Sequence, residues 1–139
     1  MQLNIEDRQV VILGGTGAVG LAIAEGFLVE GANVCLIGRN KHKLNESYKY
    51  LSDKYENQFI NIISGDASIE GGAEKIYSKI VEQDLFPDIL VTNIGNGSIP
   101  NKPIDEINIF KDSFNVNFLS NYKIIQLLSD CLMSKSAAI

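Results

Sequence analysis

A glycine-rich segment near the start of the chain lies between two apolar segments. Val10-Val11-Ile12-Leu13 precede Gly14-Gly15-Thr16-Gly17-Ala18-Val19-Gly20, and residues 21–29 are again largely apolar. The spacing Gly15-x-Gly17-x-x-Gly20 predicts a strand, a tight turn and a helix, because glycine tolerates positive φ and leaves backbone N–H groups open to a ligand. The N-terminus of such a helix favours an anion. The segment therefore predicts a phosphate-binding turn, and a glycine turn without a ligand is the alternative.

Strands and helices alternate along the rest of the chain without a linker or an internal repeat. Continuous apolar runs predict strands buried on both faces, and apolar residues three and four apart predict the helices. The predicted strands are 9–13, 33–37, 58–63 and 88–92, and the predicted helices are 19–30, 41–55, 69–83 and 110–134. This order predicts an α/β fold, a Rossmann-like doubly wound parallel sheet in three α/β/α layers.

The predicted fold is a single domain over residues 1–139 and is incomplete, with about four strands. Residues 88–94 would then form an exposed apolar edge of the sheet, which proteins normally cover. Ser136-Ala137-Ala138-Ile139 are expected to begin a fifth strand.

Composition argues against several classes of partner. The chain has 17 acidic and 12 basic side chains and a formal net charge of −5, which disfavours nucleic acid and anionic membranes as partners. No secretory signal or apolar run of membrane-spanning length is visible, so we expect a cytoplasmic protein. Cys35 and Cys131 are expected to be reduced core thiols, and His42, the only histidine, a solvated helix residue. No spacing typical of a metal site is present.

Four later segments carry a family resemblance. Gly38-Arg39-Asn40 end the second strand, Asp66-Ala67-Ser68 follow the third, and Asp88-Ile89-Leu90-Val91-Thr92-Asn93-Ile94-Gly95 include the fourth. Phe114-Asn115-Val116-Asn117-Phe118 lie in the last helix. In this order and spacing they resemble the short-chain dehydrogenase/reductase family, including its Asp-Ile-Leu-Val-Asn-Asn-Ala-Gly and Val-Asn-Leu segments. The resemblance covers residues 9–139 and only the N-terminal part of a complete member.

The chain departs from the family pattern at four positions. Leu13 stands where the family's phosphate motif has threonine, and Ala18 stands where it has its middle glycine. Gly17 partly compensates, with a Gly-x-x-Gly-x-x-Gly spacing typical of the extended branch. The Val-Asn-Leu-like and Asn-Ala-Gly-like segments are typical of the ordinary branch, so both branches stay open. Thr92 and Ile94 replace an asparagine and an alanine, whereas Asn93 is kept.

The end of the second strand favours one nicotinamide cofactor. An acid there would bind both ribose hydroxyls and repel a 2′-phosphate, whereas an arginine accommodates that phosphate. Residues 36–43 contain Arg39 and no acid. We therefore expect NADP(H) to be favoured over NAD(H), with Thr16 as a weaker second contact. The alternative is that Arg39 is only a solvated strand-end residue.

The resemblance also implies roles for the other segments. Asp66 would accept from the adenine amino group, or alternatively be a turn residue, and Asn93-Ile94-Gly95 would form the floor under the ribose and nicotinamide. Asn117 resembles the family's catalytic asparagine, which holds a water in the proton relay; capping of a backbone carbonyl is the alternative. The implied cofactor-binding residues are Gly14, Gly15, Thr16, Gly17, Ala18, Val19, Gly20, Arg39, Asn40, Asp66, Ala67, Asn93, Ile94 and Gly95.

The resemblance implies an oxidoreductase that transfers hydride between the nicotinamide and a carbonyl or alcohol substrate. The family's catalytic serine and Tyr-x-x-x-Lys pair lie beyond the fourth strand and its helix and have no counterpart here. The match Tyr50-x-x-x-Lys54 lies on the second helix, where an exposed amphipathic face explains it. The alternatives are a complete nucleotide-binding or regulatory module without catalysis, and a nonfunctional truncated product. The last helix corresponds to one that the family uses in dimers, so a homo-oligomer is expected.

Overall fold

The computed structural model describes residues 3–95 and 107–134, and the predicted fifth strand at residues 136–139 lies outside them. Four strands alternate with helices in the expected order. The strands are β1 (Gln9–Leu13), β2 (Asn33–Gly38), β3 (Ile60–Ser64) and β4 (Ile89–Thr92). The helices are α1 (Ala18–Val29), α2 (Lys41–Lys54), α3 (Gly72–Glu82), α4 (Ile107–Phe114) and α5 (Ser120–Ser134), with a π-helical turn at Asn115–Leu119.

The sheet is entirely parallel, with the strand order β3-β2-β1-β4. In its centre Val11 of β1 lies opposite Cys35 of β2 and Leu90 of β4. Each strand is linked to the next through a helix, as parallel pairing requires. Among the described strands, β4 pairs only with β1 and so lies at one edge of the sheet, where its residues are buried or half-buried.

The two faces of the sheet each carry a hydrophobic core, because successive strand residues point to opposite faces. On one face Val11 and Leu13 pack with α3 and α5, and on the other Val10 and Ile12 pack with α1 and α2. All four of these β1 side chains are fully buried. The predicted three-layer α/β/α arrangement is confirmed.

The predicted final helix differs most from the observed one. The helix starts earlier, at Ile107, and its hydrogen-bonding pattern widens between α4 and α5, where the N–H of Ser120 donates to the carbonyl of Asn115. The Ser120 hydroxyl donates to the same carbonyl at 2.8 Å. Serine and asparagine side chains can form hydrogen bonds with nearby backbone groups and so compete with the regular hydrogen bonds of a helix. Apolar spacing alone does not distinguish such a turn from a regular one, so the sequence predicted one continuous helix.

Two glycines of the turn after β1 are required by close backbone packing. Gly14 has a φ of 77°, and a Cβ there would collide with the carbonyl oxygen of Asn93. A Cβ on Gly20 would collide with the carbonyl oxygen of Gly14. These two positions bring α1, β1 and the loop after β4 into direct backbone contact.

Replacing Gly20 with alanine is therefore expected to lower the free energy of unfolding by about 1–3 kcal/mol, the usual cost of overpacking. Gly26 in the same helix is the matched control, because a Cβ there meets no atom within 4 Å. Gly26→Ala is expected to stabilise the protein by about 0.5–1 kcal/mol. Urea unfolding curves of the parent and both variants measure this, and equal effects of the two substitutions would contradict the packing argument.

Candidate functional site

The carboxyl ends of all four strands open into one cleft of about 820 Å³. The turn after β1, the ends of β2 and β3 and the loop after β4 form its wall and floor, and the π-helical turn and α5 close one side. Ligand sites of open parallel α/β sheets lie at this edge, where the crossovers leave a crevice. The topology therefore places most of the sequence-predicted residues around one space.

The N-terminus of α1 faces this cleft. Gly17 is the N-cap residue and forms no side-chain cap, and the first turn of the helix carries no acidic residue. Thr16, Ala18 and Val19 line the cleft beside it. The N–H groups at a helix N-terminus attract anions, and here no carboxylate in the first turn competes with an incoming phosphate. The glycine turn thus fits a phosphate group.

The turn is held in place by the neighbouring strand. The N–H groups of Gly14 and Gly15 both donate to the carbonyl of Ile37, at 2.9 and 3.2 Å. Gly38, one residue further along β2, also lines the cleft, and a Cβ there would lie 3.1 Å from a side-chain carbon of Thr16. The glycine turn and the end of β2 therefore form one continuous surface.

Arg39 and Asp66 face each other at one end of the cleft. The guanidinium lies 3.9 Å from Oδ2 of Asp66, and the Arg39 side chain is 67% exposed. The other carboxylate oxygen, Oδ1, accepts from the N–H of Ser68 at 2.9 Å and from its hydroxyl at 2.6 Å. Asp66 therefore closes a turn with one oxygen, in line with the turn role considered for it, and its other oxygen lies near Arg39.

The opposite end of the cleft is formed by Asn93, Ile94 and Gly95 together with Asn117. The N–H of Asn93 donates to the carbonyl of Leu13 at 3.0 Å, which fixes this loop to β1. A Cβ on Gly95 would lie 3.4 Å from the side-chain oxygen of Asn117. The predicted catalytic asparagine is therefore in the cleft, next to the predicted floor.

Three predicted residues do not line the cleft. Gly15 and Gly20 are buried where a Cβ would collide with neighbouring atoms, and Asn40 caps α2 by accepting from the N–H of Lys43 at 3.0 Å. Sequence reasoning missed several others that do line it. Those on the last helix are Phe118, Asn121, Tyr122 and Ile125. Their spacing from Asn117 along one helix face is the signal by which they could have been found.

Tyr50 and Lys54 lie outside the cleft, on α2. Both contact Glu25 of α1: the tyrosine hydroxyl donates to its carboxylate at 2.8 Å, and the lysine Nζ lies 2.7 Å from the same oxygen. The hydrogen bonds from Lys54 and Tyr50 lower the pKa of Glu25, and the bond to Glu25 raises the pKa of Lys54. This group joins two helices on the outer surface, as the amphipathic interpretation requires.

The histidine and the two cysteines singled out in the sequence do not line the cleft. His42 is exposed and lies 3.4 Å from Glu46 on the same helix. Cys35 is buried, which raises the pKa of its thiol to about 12, and both cysteines are free. Residues 3–95 and 107–134 contain no group of three metal-ligating side chains. Among the helices of that same part of the chain, none is long and apolar enough to span a membrane.

Comparison with known proteins agrees with this geometry. The model of the family described as short chain dehydrogenase matches residues 8–139. The chain belongs to this family. An uncharacterized oxidoreductase, YvaG of Bacillus subtilis (strain 168), is 30% identical over 95 residues, which are 68% of this chain and 34% of that protein. The very-long-chain 3-oxoacyl-CoA reductase of Mus musculus is 27% identical over 135 residues, covering 93% of this chain and 42% of the reductase.

Solved structures show the same fold. The L-sorbose reductase of Gluconobacter frateurii, crystallised with NADPH and L-sorbose, superposes with a TM-score of 0.88 at 24% identity. That match covers 97% of this chain and 51% of the reductase. The Pseudomonas aeruginosa RhlG/NADP complex superposes with a TM-score of 0.83 at 24% identity, over 97% and 52% of the two chains. The chain thus spans about half the length of these proteins.

The Tyr50 and Lys54 pair provides a test of the site assignment. Tyr50→Phe and Lys54→Met are expected to leave the affinity for nicotinamide dinucleotides unchanged, because neither residue lines the cleft. Lys54→Met is expected to lower stability slightly. This loss of unfolding free energy should be present above pH 4.5, the ordinary pKa of Glu25. It should vanish as the pH falls through the lowered pKa of Glu25, because the protonated carboxyl no longer pairs with Lys54. Calorimetric titration and thermal unfolding against pH measure the two effects, and a tenfold loss of affinity would place the pair in the site.

Proposed function

We propose that this chain is the NADP(H)-binding part of a short-chain oxidoreductase that transfers hydride between the nicotinamide and a carbonyl or alcohol substrate. The observation that supports this most directly is the common cleft. It brings together the glycine turn, Arg39 and Asn117, three features that the sequence separates widely. Phosphate, ribose and nicotinamide are the groups for which such a set of residues is suited.

The residues present fit an extended dinucleotide. Gly14 and Gly17 at the N-terminus of α1 would hold the pyrophosphate, since neither has a side chain between the backbone and the cleft. Arg39 and Asp66 would contact the adenosine half, and Asn93-Ile94-Gly95 would support the nicotinamide half. The bound nicotinamide would supply or accept the hydride. Asn117, beside Gly95, would hold a water for proton transfer near the nicotinamide.

The preference for NADP(H) rests on charge. Arg39 is the cation at the end of β2, it is largely exposed, and Asp66 lies 3.9 Å from it rather than in a tight pair. A 2′-phosphate would offer the guanidinium a stronger, bidentate partner. The similar sorbose reductase was crystallised with NADPH, and the similar RhlG with NADP, which agrees with this choice.

A carbonyl or alcohol substrate is supported by the similar proteins whose names state an activity. They include a 3-oxoacyl-CoA reductase, a 7beta-hydroxysteroid dehydrogenase and L-sorbose reductase. We infer that the catalytic serine and Tyr-x-x-x-Lys pair of the family are not supplied by this chain, since its Tyr-x-x-x-Lys match, Tyr50 and Lys54, lies outside the cleft. We therefore propose that the isolated chain binds the cofactor without turnover.

The two free cysteines support a reducing compartment, such as the cytoplasm, for the protein.

Titration of the purified chain with NADPH and NADH tests this function, and Arg39→Asp tests the cofactor choice. The parent is expected to bind NADPH more tightly, and Arg39→Asp to lower the NADPH to NADH affinity ratio by about 10- to 100-fold, the value of a charged hydrogen bond. Lys49→Asp, the same charge change at an exposed position of α2 outside the cleft, is the control. An unchanged ratio in Arg39→Asp would exclude it as the phosphate contact.

We also propose a homo-oligomer formed through the last helix. Phe110, Phe114, Phe118 and Tyr122 follow one another at intervals of four residues, and consecutive rings stack with centroids 5.1–6.4 Å apart. These four side chains remain between 46% and 66% exposed. An exposed row of aromatic rings is a typical protein interaction surface. A second copy of the same helix would cover the part of this row that lies outside the cleft, Phe110 and Phe114.

The double variant Phe110→Glu/Phe114→Glu is expected to shift the protein to a monomer, because four charges would meet in a two-fold interface. These two residues do not line the cleft, so cofactor affinity should be retained. Val29→Glu, at an exposed apolar position of α1, is the control and should leave the assembly unchanged. Sedimentation velocity over a range of concentrations measures this. A parent protein that is monomeric throughout would disprove the proposal.

A further inference from the structure

Asn121 joins two parts of the cleft that are separate in the sequence. Its Nδ2 donates to the carbonyl oxygen of Ile94 at 3.0 Å and to that of Asn117 at 2.9 Å. The first bond reaches the loop after β4, and the second reaches the π-helical turn. One carboxamide therefore connects the floor of the cleft to the backbone of the residue predicted to be catalytic.

The orientation of this carboxamide is determined by its two neighbours. Carbonyl oxygens only accept hydrogen bonds, so the end of Asn121 that faces both of them must be the NH₂ group. The opposite end, Oδ1, is buried and accepts no hydrogen bond from the described part of the chain. A buried acceptor without a donor costs free energy of folding. An apolar side chain would avoid that cost but would lose both donated bonds, so what distinguishes asparagine at this position is the link between the two carbonyls.

The surrounding turn shows what the two bonds achieve. In the π-helical turn the Ser120 hydroxyl donates to the carbonyl of Asn115, and the amide of Asn115 donates to the carbonyl of Ser68 at 2.9 Å. The turn is thus tied to the loop after β3 through Asn115. Asn121 ties the other end of the same turn to the loop after β4. Widened turns of this kind are frequent at functional sites.

We propose that Asn121 is a positioning residue for the nicotinamide half of the bound dinucleotide. It holds the Ile94 carbonyl and the Asn117 backbone in a fixed relation, so that Asn93, Gly95 and Asn117 present one rigid surface to that half. Arg39 and Asp66, which would contact the adenosine half, lie at the other end of the cleft. This inference rests on the proposed cofactor function, and it predicts that loss of Asn121 affects only one half of the ligand.

Calorimetric titration of the 139-residue chain with NADPH and with adenosine 2′,5′-bisphosphate tests this, because the second ligand carries only the adenosine half. Asn121→Leu keeps the number and branching of the side-chain heavy atoms and removes both N–H donors. It is expected to weaken NADPH binding about tenfold, the scale of one lost hydrogen bond, and to leave bisphosphate binding unchanged. Gln126→Leu, an exposed position of the same helix outside the cleft, should change neither affinity.

The outcomes separate this inference from the proposed function. If the parent binds neither ligand, both fail. Suppose instead that the parent binds both ligands. Then the positioning role alone is overturned if Asn121→Leu binds NADPH as tightly as the parent does, or if its affinity falls equally for NADPH and the bisphosphate. Should Asn121→Leu fail to fold, Asn121→Ser decides, since its hydroxyl keeps one donor. A loss of about threefold for NADPH alone is then expected, and unchanged NADPH affinity would overturn the role.

Discussion

The close backbone packing at Gly14 is the constraint on which the arrangement of this protein depends. The carbonyl of Gly14 lies against Gly20 of α1. The Cα of Gly14 lies against the carbonyl of Asn93 in the loop after β4. Three chain segments meet there only because no Cβ separates them. Because of that contact, the N-terminus of α1 faces the cleft and lies close to the loop after β4. The glycine turn and the loop that carries Asn93 are thus positioned by one packing arrangement.

The parallel sheet then determines where chemistry can occur. All four strands end at the same edge, so the residues that follow them converge although they are distant in sequence. Arg39 and Asp66 follow β2 and β3, and Asn93 follows β4. The last helix contributes Asn117 and Asn121 through a turn in which side chains bind backbone carbonyls. The parallel strands thus set the position of the cleft, and the π-helical turn sets the positions of Asn117 and Asn121 beside it.

Particular residues show how far the sequence could lead. The glycine spacing and the apolar runs predicted all four strands and their helices, because burial on both faces and helical periodicity leave clear local patterns. The same logic missed the π-helical turn, since Asn115 and Ser120 occupy positions that suit a continuous helix equally well. It also predicted Gly15, Gly20 and Asn40 as cofactor-binding residues, and these three do not line the cleft. Asn121 went unnoticed because its importance depends on a carbonyl 27 positions away.

The sequence by itself determined the fold class, the family and the position of the glycine turn, because each depends on residue types at short, fixed spacings. Tertiary structure decided which of those residues share the cleft, and which asparagines face carbonyls rather than open space. It also decided that Tyr50 and Lys54 contact Glu25 on the outer surface. The physical reason is that hydrogen bonds and steric contacts depend on distances between segments, and those distances exist only after the strands have paired and the helices have packed.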